Sequence, residues 1–236
     1  MLTTLTFLAL AAFDAPTKVE TKTLEQKRTL TCWRYPKLLV KQVDAHEKGA
    51  QRLSFVRFEG AAPVCEEALA PAEKVLDDWG GYYAGAFGTL VVFDGDDGWN
   101  GGMGFAVYDA MTGTQVFKDA RVGAMRSTKG ALLYRRLVSL DCNASTDQPC
   151  ATKAMALANT KQNVLALCTK GYATWLADFQ KQVAKLPCDG DCSAGRKEQL
   201  DSFRSSNSVL AYEVSVDRAT FVITPQTKRP ECWLQN

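Results

Sequence analysis

Eight cysteines, Cys32, Cys65, Cys142, Cys150, Cys168, Cys188, Cys192 and Cys232, constrain this chain more than any other feature. No two of them form a C-x2-C pair, the spacing a structural zinc site uses, so the pattern reads as disulfides rather than a metal site. An even number of cysteines closed as disulfides implies an oxidising compartment. Proximity pairs Cys142 with Cys150 across "CNASTDQPC" and Cys188 with Cys192 across "CDGDC". By elimination, Cys32, Cys65, Cys168 and Cys232 form two long-range bridges. In the chain-entropy picture a short bridge stabilises by roughly 2–3 kcal/mol and a long one by about 4–5 kcal/mol.

The N-terminal segment agrees with that compartment. Leu2–Ala12 is a short apolar run that gives way abruptly to Thr, Lys and Glu, with small residues at Ala9 and Ala11. This is the layout of a signal-peptide core, although no Lys or Arg precedes it, and it is too short to span a bilayer. The expectation is a signal-like segment over residues 1–12 and a single domain over 13–236, periplasmic or secreted, with no transmembrane span. The 28 Lys and Arg against 26 Asp and Glu leave the chain nearly neutral, with no basic block that would track a phosphate backbone. Nucleic acid is therefore excluded as the expected partner.

Apolar patterning predicts an α+β fold, an antiparallel β-meander with two or three helices packed on it. "TLTCWRY", "LLVKQVD" and "RLSFVRFE" read as strands, the last two joined through the turn "AHEKGAQ". Leu69, Ala72, Leu76 and Trp79 recur at spacings of three and four, which predicts a short helix that Gly80–Gly81 ends. "FGTLVVFD", "GMGFAVYDA", "TQVFKDA" and "ALLYRRLVSL" are strand-like runs separated by turn residues. After Cys150 the period changes to that of a helix. Tyr172, Trp175, Leu176, Phe179, Val183 and Leu186 form an apolar stripe, and a weaker helix is expected in "GRKEQLDSFRSS". "SVLAYEVSVD" and "ATFVITP" return to strand.

The densest polar stretch is "FDGDDGWNGGMGF", and Asp94, Asp96, Asp97, Trp99 and Asn100 within it are the candidate ligand-binding residues. As an EF-hand loop it fails, because the fifth, sixth and twelfth positions from Asp94 are Gly98, Trp99 and Phe105. No metal and no cofactor is expected. For glycoside hydrolysis, adjacent aspartates on one turn splay apart, and Glu66, Glu67, Asp77 and Asp78 are equivalent choices of partner. The favoured reading is a polar connection between "TLVVF" and "GFAVY". Trp79, Tyr82, Tyr83 and Trp99 flank glycine-rich segments and would suit a sugar or planar ligand, or would fill the core. His46 is the single histidine, in a turn-like "DAHEKGA", and no G-x-S-x-G elbow occurs, so no catalytic residue is assigned.

Taken together, "FDGDDGWNGGMGFAVYDAMTGTQVFKD", the later "SVLAYEVSV" and the closing "CWLQ" resemble exported proteins of Gram-negative bacteria of uncharacterised function. That resemblance implies a periplasmic or secreted location and carries over no activity and no functional residue. The expected function is a non-catalytic binding or structural protein. Its partner would be a small molecule, a glycan or an envelope protein. The alternatives are a secreted hydrolase or carbohydrate-active enzyme using carboxylates near residues 94–100, and an envelope interaction or inhibitor protein.

Overall fold

The computed structural model describes residues 13–45, 47–77, 79–99, 102–128, 130–185, 207–226 and 230–234. The chain divides into two compact units. The first comprises Met1–Arg121, Met125–Leu132 and Arg218–Phe221, and the second Val122–Ala124, Leu133–Asp217 and Val222–Asn236.

The first unit opens with a five-stranded sheet in sequence order: β1 (Lys18–Thr23), β2 (Thr29–Arg34), β3 (Leu38–Asp44), β4 (Arg52–Arg57) and the two-residue β5 (Lys74–Val75), each pair antiparallel. A second sheet follows with β6 (Gly81–Phe87), β7 (Leu90–Trp99), β8 (Gly102–Asp109) and β9 (Thr114–Ser127) as successive neighbours. β1 lies in the polar stretch after the signal-like run, where no strand was expected. Its burial pattern is almost wholly exposed, and its lysines and glutamate suit an edge strand that must not recruit another chain.

Two cores form because the first sheet is covered on both faces. Leu38, Val40, Leu53 and Phe55 point to one side and meet Ala86, Val91, Phe93, Ala106 and Tyr108 of the second sheet. Leu30, Cys32, Leu39, Val43 and Val56 point to the other and meet Cys65, with Phe58 and Ala70 packed alongside. Strands buried on both faces lose the clean apolar–polar alternation, which is why "LLVKQVD" reads as a nearly continuous run.

The cover on the second face is the segment between β4 and β5, and here the expected helix is overturned. Residues 65–77 form turns, bends and β5, with Leu69 half exposed and Ala72 at φ +60°. Helical spacing lost to three tertiary anchors that lie on one cross-strand row, in which Cys32 is opposite Lys41 and Lys41 opposite Ser54. Cys32 is disulfide-bonded to Cys65. Lys41 Nζ donates to Glu73 Oε2 at 2.8 Å and to Ala68 O at 2.9 Å. Ser54 Oγ donates to Glu73 Oε1 at 2.5 Å, and the Ala70 amide to Glu73 Oε2 at 2.8 Å. The Lys41 and Glu73 side chains are 1% and 0% exposed.

The second unit carries most of β10 (Ala131–Ser139), then α1 (Gln148–Leu157), α2 (Val164–Ala184), β11 (Ser208–Asp217), β12 (Ile223–Pro225) and β13 (Glu231–Leu234). β11 pairs antiparallel with both β12 and β13. Asn159, at φ +45°, follows α1, and Asn163 Oδ1 accepts the Ala166 amide at 3.0 Å to cap α2. The stripe on α2 is half-buried at Tyr172, Leu176 and Phe179. The side chains of Trp175 and Val183, all of Leu186 and the weaker helix in "GRKEQLDSFRSS" lie outside the described residues.

Cys142–Cys150 and Cys168–Cys232 close within this unit, so the expected short pairing is present, and the four cysteines left by elimination close as two long-range bridges, Cys32–Cys65 and Cys168–Cys232. The fourth, Cys188 with Cys192, lies outside the described residues. The α+β expectation holds in outline, with antiparallel sheets, disulfide staples and two α-helices among the described residues, and the small helical share makes the fold mainly β. None of the described helices is long and apolar enough to cross a membrane.

The buried pair makes a quantitative prediction. Glu73→Ala leaves the buried Lys41 without its counter-ion, and urea unfolding is expected to show a loss of about 3–5 kcal/mol. The double variant Lys41→Met, Glu73→Leu removes both charges and is expected to recover at least half of that loss. A single variant costing less than about 1 kcal/mol would show the pair to be incidental.

Candidate functional site

The stretch that drew attention in the sequence is mostly strand. β7 runs to Trp99 and β8 starts at Gly102, with Trp99 opposite Gly102 and a register shift between Asp94 and Gly98. The polar connection expected between "TLVVF" and "GFAVY" is thus strand as far as Trp99 and again from Gly102, bulged near the aspartates, with 100–101 outside the described residues.

Asp94 sits at a junction of three elements. Both its carboxylate oxygens accept from Arg121 Nη2 of β9, at 2.8 and 2.7 Å, with the two side chains 16% and 13% exposed. Its carbonyl accepts from Trp79 Nε1 at 3.0 Å. Gly81 lies opposite the next residue, Gly95, and a Cβ on Gly81 would stand 1.7 Å from Asp94 O, so no other residue fits. Asp96 is exposed, with its Cβ 3.2 Å from where a side chain on Gly49 would begin. The side chains of Asp97 and Trp99, and Asn100 as a whole, lie outside the described residues, as do His46 and Asp78. The carboxylate of Asp94 therefore meets a guanidinium rather than a second carboxylate. Among the described residues, no group of three or more His, Cys, Asp or Glu could hold a metal ion.

The aromatic residues divide. Trp33 and Tyr83 pack at 4.6 Å between ring centroids, and Tyr83 meets Phe93 edge-on at 5.9 Å, so Tyr83 belongs to the core between the sheets. The Tyr82 hydroxyl accepts the Gly49 amide at 2.7 Å. Lys118 Nζ lies 5.3 Å from the Trp79 ring centroid, a cation–π contact.

A cavity of about 460 Å³ lies elsewhere in the first unit, and sequence reasoning missed it. Its walls come from two turns, a strand end and a strap: the strap Asp14–Thr17, the β2–β3 turn with Tyr35 and Leu38, Arg57 at the end of β4, and Gly88–Thr89 between β6 and β7. The strap is tied down at both ends. The Asp14 amide donates to Ala86 O at 2.8 Å and its Oδ2 accepts the Gly88 amide at 2.7 Å. Thr17 donates its amide to Arg34 O at 2.7 Å. Phe13 stacks on Phe87 at 6.0 Å and lies so close over Gly85 that a Cβ there would come within 2.3 Å of its ring.

On the far side of the Phe87 turn, Arg218 Nη2 donates to Phe87 O at 3.2 Å, with its guanidinium 4.5 Å from the Phe87 ring centroid. At the mouth, Lys37 and Arg57 both pair with the exposed Glu59, at 2.8 and 2.6 Å. The sequence signal available was slight: "YPKL" between two strands and a Phe-Asp pair after an apolar run.

Tyr35 links this cavity to the core. Its hydroxyl lies 2.5 Å from that of Tyr83. Burial pushes both phenols above their ordinary range, and the neighbouring Tyr35 hydroxyl adds to the effect on Tyr83. No protein-family model, curated protein or solved structure matches this chain.

The tyrosine pair makes stability depend on alkaline pH. Both phenols titrate higher in the folded state than in the unfolded chain. Their contribution is therefore complete below the unfolded value of about 10, and it is lost as pH rises beyond that. Above that pH, stability should fall by about 1.4 kcal/mol per pH unit for each phenol still held neutral. Tyr83→Phe should flatten the fall. An unchanged slope in that variant, measured by urea unfolding between pH 9 and 11, would contradict the assignment.

Proposed function

We propose that this is an exported protein of an oxidising compartment that binds a small, mainly apolar molecule without transforming it. The observation that carries the reading is the 460 Å³ cavity beside Tyr35, within the size range of small-molecule sites. Its lining combines Ala15, Pro36, Leu38 and Ala110 with a few polar groups. Among the described residues Asp14 is the lone carboxylate of that lining, and it is committed to the Gly88 amide, so no opposed pair of the kind glycoside chemistry needs is formed among them. Among the described residues the lining also includes no cysteine or histidine to serve as nucleophile or base. Lys37 and Arg57, sharing the single carboxylate of Glu59, favour a ligand whose polar end is anionic.

The cysteines support the compartment. All six among the described residues are paired, and such bridges persist where thiols are not kept reduced. The apolar run at Leu2–Ala12 and the resemblance to exported bacterial proteins favour the periplasm or the medium.

Anilinonaphthalene sulfonate, an apolar dye with one anionic group, is a suitable probe. The native protein is expected to bind one equivalent with a gain in fluorescence. Thr89→Trp and Ala15→Trp, both at exposed wall positions, should weaken binding at least about tenfold at unchanged melting temperature. Absence of dye binding to the native protein, or equal binding by both variants, would overturn the proposal.

A further inference from the structure

A second cavity in the first unit is more polar than the one beside Tyr35. It encloses about 700 Å³ and is lined by Arg28 before β2, by Gln51 and Arg52 at the start of β4, and by Glu67, Asp77 and Trp79 of the covering segment. Arg28 Nη1 donates to Glu67 Oε1 at 2.6 Å and to Gln51 Oε1 at 3.3 Å, and Arg28 Nη2 to Glu67 Oε2 at 3.4 Å. Arg52 Nη2 donates to the Glu67 carbonyl at 2.5 Å, while its buried Nε has no acceptor among the described residues. Asp77 is exposed and has no hydrogen-bond partner among the described residues.

We propose that this cleft is a second binding site, for a neutral polyhydroxylated molecule such as a short saccharide. The charges decide the ligand class. Two guanidiniums face two carboxylates, so an anion would meet Glu67 and Asp77, and a cation would meet Arg28 and Arg52. A purely apolar ligand would strip water from all four and return nothing. Vicinal hydroxyls each donate and accept, and they match forked groups such as guanidinium, carboxylate and amide. Ala50, Val75 and Leu76 supply the apolar surface on which the C–H face of a sugar ring rests.

The site is also prebuilt. Its wall is the covering segment, held by the Cys32–Cys65 bridge, by the buried Lys41–Glu73 pair and by the Leu76 amide donating to Leu53 O at 3.0 Å. Trp79 is fixed by its own bond to Asp94 O and by Lys118. A ligand entering such a cleft orders little that is not already ordered.

The test is titration of the full chain with glucose, galactose, N-acetylglucosamine, maltose, cellobiose and chitobiose at up to millimolar concentration. Tryptophan fluorescence and calorimetry are the readouts, and sodium sulfate is the anionic control. At least one saccharide is expected to bind, sulfate is not, and Thr89→Trp in the other cavity should leave that binding unchanged. Asp77→Asn and Gln51→Ala, at exposed positions, should each weaken it about fivefold or more at unchanged melting temperature and unchanged dye binding. The proposal is overturned if none of the saccharides binds, if sulfate binds in their place, or if both variants bind as the native protein does.

Discussion

A lysine opposite a cysteine and a serine, on the face of a sheet that ought to be wet, organises the first unit. Lys41 is one of the most deeply buried side chains in the protein, and its charge is answered by Glu73 alone among the described carboxylates. Taking both ions out of water is costly, and an apolar pair of equal volume would often be as stable. What the ionic pair adds is direction. Lys41 also holds Ala68 O, while Glu73 accepts from Ser54 and from the Ala70 amide. The segment therefore has one register against the sheet, and the Cys32–Cys65 bridge on the same row removes much of its freedom in the unfolded chain.

That placement governs the rest of the first unit. With its second face covered, the five-stranded sheet becomes the middle layer between a core shared with β6–β8 and a smaller core under the covering segment. The cleft at Arg28, Glu67 and Asp77 has the covering segment as its wall, so it exists only because that segment is pinned. The cavity beside Tyr35 depends on a different tether, the Phe13–Thr17 strap held over Gly85 and against Ala86, Gly88 and Arg34. Two concave sites of opposite polarity thus arise from two short irregular segments laid on one rigid sandwich.

Local chemistry was legible in the sequence where it determines structure by itself. Short cysteine spacing identified Cys142–Cys150, and elimination left the four cysteines that close as Cys32–Cys65 and Cys168–Cys232. The β3–β4 hairpin and the α2 stripe followed from period alone. Residues 65–81 were misread because Leu69, Ala72, Leu76 and Trp79 carry helical spacing, while the deciding interactions come from Lys41 and Cys32, more than twenty residues upstream. The stretch from Asp94 to Asn100 read as a connection because its glycines and aspartates are turn formers. Strand β7 persists through it to Trp99 because Arg121 neutralises Asp94 and β7 tolerates a bulge. The cavity beside Tyr35 left almost no trace, since its lining is assembled from residues 14 to 110 with no shared motif.

The central claim is that the covering segment is part of the folded core and not a surface loop. Native-state hydrogen exchange at the Ala70 amide tests it most directly, because that N–H is bonded to the buried Glu73 carboxylate. If the account is right, Ala70 exchanges only through global unfolding, with a free energy matching that of core amides such as Val40. Exchange of Ala70 by local opening, several kcal/mol easier than that of Val40, would contradict it.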